Sequence, residues 1–207
     1  MAAATTTEIG ICSNALLRLG GRPFSSFNEG DVGNANLDHV RLAANLWPTV
    51  RRSVLRAATW NCAIKRVLLS PDASTPPFGY AYQFQRPTDW LRTLYIGSDE
   101  CDRLDYRMEG NRFLSNEPAL PLRYLFDNDN PATWDASLVG AMETAMAQAM
   151  CYAVTGSASL RDTLSQELRM VLAQARNVDG QDDPAETLGD VSPLYAARFG
   201  GYAGGRS

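Results

Sequence analysis

Histidine and lysine are almost missing from this chain: His39 and Lys65 are the only ones. A Ser-His-Asp or Cys-His arrangement would have to be built on His39. That residue falls among polar neighbours in the middle of an expected helix, so a solvated or structural histidine is the better reading. No G-x-x-x-x-G-K-[ST] loop occurs and no glycine cluster opens a helix after a strand, which removes the phosphate cradle of nucleotide hydrolysis. Cys12, Cys62, Cys101 and Cys151 are widely separated and form no C-x-x-C pair. Zinc ribbons and thioredoxin-type motifs are thereby excluded, and buried free thiols in a reducing compartment are expected. No apolar run approaches the roughly 20 residues of a membrane span. Met1 to Thr7 also lack the basic and apolar regions of a secretory signal, so the expectation is a protein made soluble inside a cell.

Clustered positive charge is absent as well. A formal charge of −4 and a pI near 5.0 argue against an open duplex-binding surface, which needs cations to release counterions from phosphates. The basic residues are otherwise arginine, which suits planar, bidentate contacts across interfaces, although a GC-rich genome produces the same bias. What the chain does have is length and apolar content: 207 residues, 45% hydrophobic, can bury one sizeable core.

Periodicity divides the chain into three regions. Ile9, Cys12, Leu16 and Leu19 recur on one face of a first helix, with Thr5 and Glu8 at capping-box spacing and Gly20 and Gly21 at its end. Leu37, Val40, Ala44, Trp47, Val54 and Leu55 mark a second helix that contains Pro48, a residue expected to kink it. Strand-like segments then run from Ile64 to Phe126. Tyr80, Tyr82 and Phe84 alternate, Leu91 to Ile96 is mainly apolar, a hairpin is expected around Gly110 and Asn111, and Leu122 to Phe126 supplies a further strand. Helix returns at the N-cap Asp135, with Trp134 and Val139 as a hydrophobic staple and Leu138, Met142, Met146, Ala149 and Ala153 as inner stripe. Ser159 and Asp162 are expected to cap a fourth helix, whose Leu160, Leu164, Leu168, Val171 and Ala175 face inward.

The expected fold is therefore α+β: an antiparallel four-helix bundle (residues 1–63 and 131–178), a small, mostly antiparallel sheet inserted between helices 2 and 3 (residues 64–130), and an extended C-terminal arm (residues 179–207). The arm is rich in glycine, yet Leu194, Tyr195, Phe199 and Tyr202 interrupt it with apolar anchors beside Arg198, a pattern expected of a segment that orders on a partner.

Two acidic stretches offer chemistry. Asp127, Asn128, Asp129 and Asn130 resemble the start of a calcium loop, but Ala132 stands where glycine is needed and Leu138 where the bidentate glutamate is needed, so a turn into the helix cap is expected and no metal site. Asp99, Glu100, Asp102 and Asp105 could furnish the paired acids of glycoside hydrolysis, although no aromatic sugar platform stands beside them in the sequence.

One run of residues is more specific than any of these. Leu46, Trp47, Pro48, Thr49, Val50, Arg51, Arg52, Ser53, Val54, Leu55 and Arg56, followed by Thr59, Trp60, Asn61, Cys62, Ala63 and Arg66, resembles the "YPxVRxxLLxxxPWNFAxxR" stretch of the tail tubular protein A group of tailed-phage head-to-tail adaptors. Trp47 replaces the tyrosine, Thr59 the proline and Cys62 the phenylalanine. Tyr80, Ala81, Tyr82, Pro87, Asp89, Leu91 and Arg92 resemble that group's "YAYxLPxDxLR" segment, and Glu109, Gly110 and Leu114 with Leu122, Arg123 and Tyr124 resemble its hairpin and "LRY" strand. Ala173, Ala175, Arg176, Asp179 and Gly180 are similar to the end of its last helix, so the resemblance covers most of residues 8–180.

The resemblance implies a structural protein of the virion head–tail junction, made in the host bacterial cytoplasm, with no enzyme active site and no cofactor. Its partners would be further copies of itself in a dodecameric ring, the portal protein, and a tail nozzle, tail-tube or stopper protein. Genomic DNA would pass through the lumen without sequence-specific binding, and no membrane is involved. The arm residues Leu194, Tyr195, Arg198, Phe199 and Tyr202 would then dock on the portal. Two alternatives stay open: a head-completion protein of a long-tailed phage or phage-like particle, and a virion-associated carbohydrate-cleaving enzyme using the acids between residues 99 and 105.

Overall fold

The computed structural model describes residues 6–27, 37–98 and 103–182. Helices α1 (Glu8–Arg18) and α2 (Leu37–Ala57) come first in the chain. Strands β1 (Ile64–Leu69), β2 (Tyr82–Gln85), β3 (Trp90–Ile96), β4 (Tyr106–Glu109), β5 (Arg112–Ser115) and β6 (Leu120–Phe126) follow, and α3 (Ala136–Thr155) and α4 (Ala158–Asp182) close the described chain. The class is α+β.

The helix ends follow local chemistry. Thr7, in an extended conformation, accepts a hydrogen bond from the Gly10 amide at 3.1 Å and caps α1. The expected cap, Thr5, lies outside the described residues. Gly20, at φ +79°, turns the chain so that the Gly21 amide reaches the Leu16 carbonyl at 3.0 Å. Asp135 caps α3 as expected, its Oδ1 accepting from the Leu138 amide at 2.7 Å. For α4 the cap is Ser157 and not Ser159: the Ser157 Oγ accepts from the Leu160 amide at 3.2 Å.

The helices gather around α3. Its Leu138, Ala141, Met142, Ala145, Met146, Ala147, Met150 and Cys151 are buried, so it is apolar over most of its circumference and packs on α1, α2 and α4. Helices α1 and α2 meet each other only sparsely. A four-helix bundle, in which every helix contributes an equivalent stripe to a shared core, is not supported by these contacts. The expected inner stripe is also corrected at one end, where Ala149 and Ala153 are exposed and Met150 and Cys151 turn inward instead.

A single sheet was the expectation, and among the described residues there are two. Sheet A has the order β1-β6-β3 and sheet B the order β2-β5-β4, all pairs antiparallel. They separate because each presents an apolar face to the other: Phe84 and Phe113 from sheet B meet Ile96, Leu120, Leu122 and Tyr124 from sheet A in one buried cluster. Strand β6 also joins this sandwich to the helices, since Leu125 belongs to the helical core together with the partly buried Ile64, Leu91 and Leu94.

Candidate functional site at the helix–sheet junction

The C-terminal half of α2 runs onto the ends of β6 and β3, and its arginines meet an acid there. Arg51 donates to Asp127 through Nε at 2.9 Å and through its terminal amine at 2.9 Å, a bidentate pair. Arg52 adds a third hydrogen bond to the same carboxylate at 2.8 Å. The side chains of Arg51 and Asp127 are each only 12% exposed. Burial on its own would raise the Asp127 carboxyl, but the hydrogen bonds and charges of Arg51 and Arg52 outweigh it and hold the pKa below the usual value of 3.8.

A second acid stands beside the first. The Asp127 amide donates to the Asp89 carbonyl at 2.7 Å. The Asp89 carboxylate accepts from Lys65 Nζ at 2.6 Å and from the Tyr124 hydroxyl at 3.0 Å. Lys65 also lies 3.8 Å over the Phe126 ring. Burial, reinforced by the neighbouring Asp89 carboxylate, pushes the Tyr124 hydroxyl well above the ordinary tyrosine range. Around these charges the chain is pinned by neutral contacts. Trp60 donates its indole N–H to the Val54 carbonyl at 3.1 Å, and Arg92 donates to Thr59 Oγ1 at 3.1 Å. The buried Asn128 donates to the Cys62 carbonyl at 2.8 Å and to Thr133 Oγ1 at 2.9 Å. Trp47 stacks on Trp134 at 5.9 Å between ring centroids, tying α2 to the entry of α3.

Most residues singled out from the sequence meet at this junction. Trp47, Leu55 and Trp60 are buried, Arg51, Asp89 and Arg92 make the contacts above, and the Pro87 carbonyl accepts from the Trp90 amide at 3.2 Å. Pro48 and Asn61 are exposed, the first inside α2 and the second opening a short 3₁₀ turn. Arg66 stands apart, exposed on β1. The arm residues Leu194, Tyr195, Arg198, Phe199 and Tyr202 lie outside the described residues, as do Asp99, Glu100 and Asp102. Asp105 is exposed, and its carbonyl accepts from Ser115 Oγ at 2.9 Å.

Sequence reasoning missed the partners: Asp127, Tyr124, Lys65 and Thr59. Adjacent Arg51 and Arg52 signal that a carboxylate is needed, but nothing local says which of the acids supplies it. The arrangement acts as a clamp. Both oxygens of Asp127 and both of Asp89 are already engaged, so neither is set up as a general base. Burial, with a smaller contribution from Glu8, pushes the Cys12 thiol up to about 12, which suppresses the thiolate. Among the described residues no three His, Cys, Asp or Glu side chains gather closely enough to hold a metal ion.

Hollows open elsewhere among the described residues. One, of about 460 Å³, lies between α1, α3 and α4, where Arg18 donates to Thr144 Oγ1 at 2.6 Å and pairs with Glu167. Another, of about 270 Å³, lies on sheet A at Arg66, Leu68, Tyr95, Pro121 and Arg123. No known family model matches the chain, and no curated protein sequence matches it either.

Proposed function

We propose that this chain is a structural subunit of a tailed-phage virion, a head-to-tail adaptor that assembles into a dodecameric ring between the portal and the tail nozzle or tube. What supports the reading is the order of the adaptor-like segments along residues 8–180 together with one observation that carries it. Of the residues of those segments, Arg51 bonds α2 to Asp127 at the end of β6 and Arg92 of β3 bonds Thr59 just past α2. Trp47 ties α2 to the entry of α3, Trp60 bonds back to α2, and Asp89 links Lys65 of β1 to Tyr124 of β6. A subunit that joins two assemblies needs its two layers in a fixed relation, and a clamp with three charge-assisted bonds on one part-buried carboxylate favours such a relation. The ring contact would be heterologous, each copy presenting two different complementary surfaces. A net charge of −4 suits a lumen along which duplex DNA slides.

The test is native mass spectrometry of the full chain, alone and mixed with its cognate portal. A ring-sized assembly on the portal is the expected result. A chain that stays monomeric in every mixture would sink the adaptor reading.

A further inference from the structure

Among the described residues the sheet edges are β1 and β3 in sheet A, and β2 and β4 in sheet B. An open edge invites pairing with another chain, and three of these edges are guarded. Strand β1 carries Lys65 and Arg66 and no acid. Strand β3 is interrupted by register shifts between Trp90 and Arg92 and between Thr93 and Tyr95. Strand β2 is covered by the loop before it, where the Asp72 amide donates to the Gln83 carbonyl at 2.8 Å and Gln83 donates to Ser74 Oγ at 2.8 Å. Strand β4 has no such guard among the described residues, and its Met108 is 46% exposed.

The bonding direction along β4 is fixed by its turn. Glu109 and Arg112 flank the two-residue turn of Gly110 and Asn111, with Gly110 at φ +54°, and a pair in that position is hydrogen-bonded. Glu109 and Arg107 therefore aim their amides and carbonyls at β5, while Met108 and Tyr106 aim theirs at the free edge. Side chains alternate as well. Tyr106 packs on Phe113 in the sandwich at 6.1 Å between ring centroids, which places Met108 on that same face. Arg107 and Glu109 are exposed on the opposite face, and their side chains make no hydrogen bond or ion pair among the described residues.

We propose that β4 pairs antiparallel with the β4 of a second copy about a two-fold axis at Met108, joining two three-stranded sheets into one. Met108 then exchanges both backbone bonds with its counterpart, and Arg107 of each copy stands opposite Glu109 of the other, once on either side of the axis. The charges select this register. Sliding by two residues sets Arg107 against Arg107 or Glu109 against Glu109, and sliding by one sets a free-edge group against one already bonded to β5. On the sandwich face the two Met108 side chains cover one another. A two-fold contact stops at two copies, so the pair does not rest on the adaptor reading.

The test is sedimentation velocity of the full chain over a concentration series, which is expected to show a dimer that grows with concentration. Monomer alone at the highest concentration overturns the pair. Arg107→Glu sets acid against acid and Glu109→Arg sets base against base, so each variant should self-associate about tenfold more weakly than wild type. An equimolar mixture of the two restores complementary pairs at both positions and should dimerise as wild type does. Either variant associating like wild type, or a mixture no tighter than its components, overturns the proposal. In parallel, Met108→Cys places a thiol on the axis, at a Cα separation of about 5.5 Å that a disulfide spans. Under mild oxidation a bond between the two substituted positions is expected; cross-links through the native cysteines only, or none, overturn the pairing.

Discussion

A carboxylate that accepts from Arg51 and Arg52 together cannot be removed without leaving a guanidinium stranded, and the two arginines differ in how much that matters. The Arg51 side chain is 12% exposed and that of Arg52 is 61% exposed. Solvent compensates Arg52, so Arg52→Ala should cost no more than about 1 kcal/mol in urea unfolding at pH 7. Asp127→Ala strands the part-buried Arg51 and should cost more, about 2 to 3 kcal/mol. The pH dependence follows from the lowered carboxyl. The unfolded Asp127 titrates near 3.8 and the folded one below it, so its contribution is full above the unfolded value and is lost as pH falls through the folded one. The stability gap between wild type and Asp127→Ala should therefore be constant near neutrality and close below pH 3.8; a gap that stays constant down to pH 2 would refute the charge-based account.

At the scale of elements, glycines at helix ends separate two kinds of constraint. Gly156 ends α3 at φ +68°, and a Cβ there meets nothing within 4 Å. Gly156→Ala should cost only the left-handed backbone penalty, about 1 to 2 kcal/mol. At Gly21 a Cβ would come within 2.6 Å of the fully buried Leu16 side chain, so Gly21→Ala should cost more than Gly156→Ala in the same melt. The same scale shows how far the sequence was legible. Helix faces could be read because 3.6-residue periodicity is local: Leu164 and Ala175 are buried where the stripe of α4 put them. Caps were legible only in part. Asp135, flanked by Thr133 and Ser137, was picked out by the Trp134–Val139 staple around it, whereas Thr5, Thr6 and Thr7, or Ser157 and Ser159, differ only in where the chain happens to turn. The division into two sheets was not legible, because it depends on β6 pairing with both β1 and β3 across long stretches of chain, and β1 itself reads Ile-Lys-Arg-Val-Leu-Leu without clean alternation. Asp127, the centre of the candidate site, was hidden for the same reason: its partners lie 75 and 76 residues away.

For the whole molecule the question is whether the helix layer and the sandwich unfold as one body. The helical core and the sandwich core share sheet A: Leu120, Leu122 and Tyr124 of β6 lie in the sandwich and Leu125 in the helical core, and β1 and β3 divide likewise, with Ile64, Leu91 and Leu94 against the helices and Val67, Leu69 and Ile96 in the sandwich. Leu125 is fully buried and pairs with Ile64 on one side and Arg92 on the other. The Arg51–Asp127 clamp sits just past the same strand. Opening the sandwich therefore pulls β6 out of the helices, and opening the helices exposes Leu125 and strands Arg51. Leu125→Ala should lower global stability by about 2 to 5 kcal/mol. It should lower it for both layers alike, although the deleted methyl groups belong to the helical core alone. Hydrogen exchange read by mass spectrometry along a urea series checks this: peptides from α3 and from β5 should lose protection at one urea concentration in the wild type, and at one lower concentration in the variant. Loss of β5 protection ahead of α3 would mean that the sandwich opens independently, and the junction would then be a hinge and not a clamp.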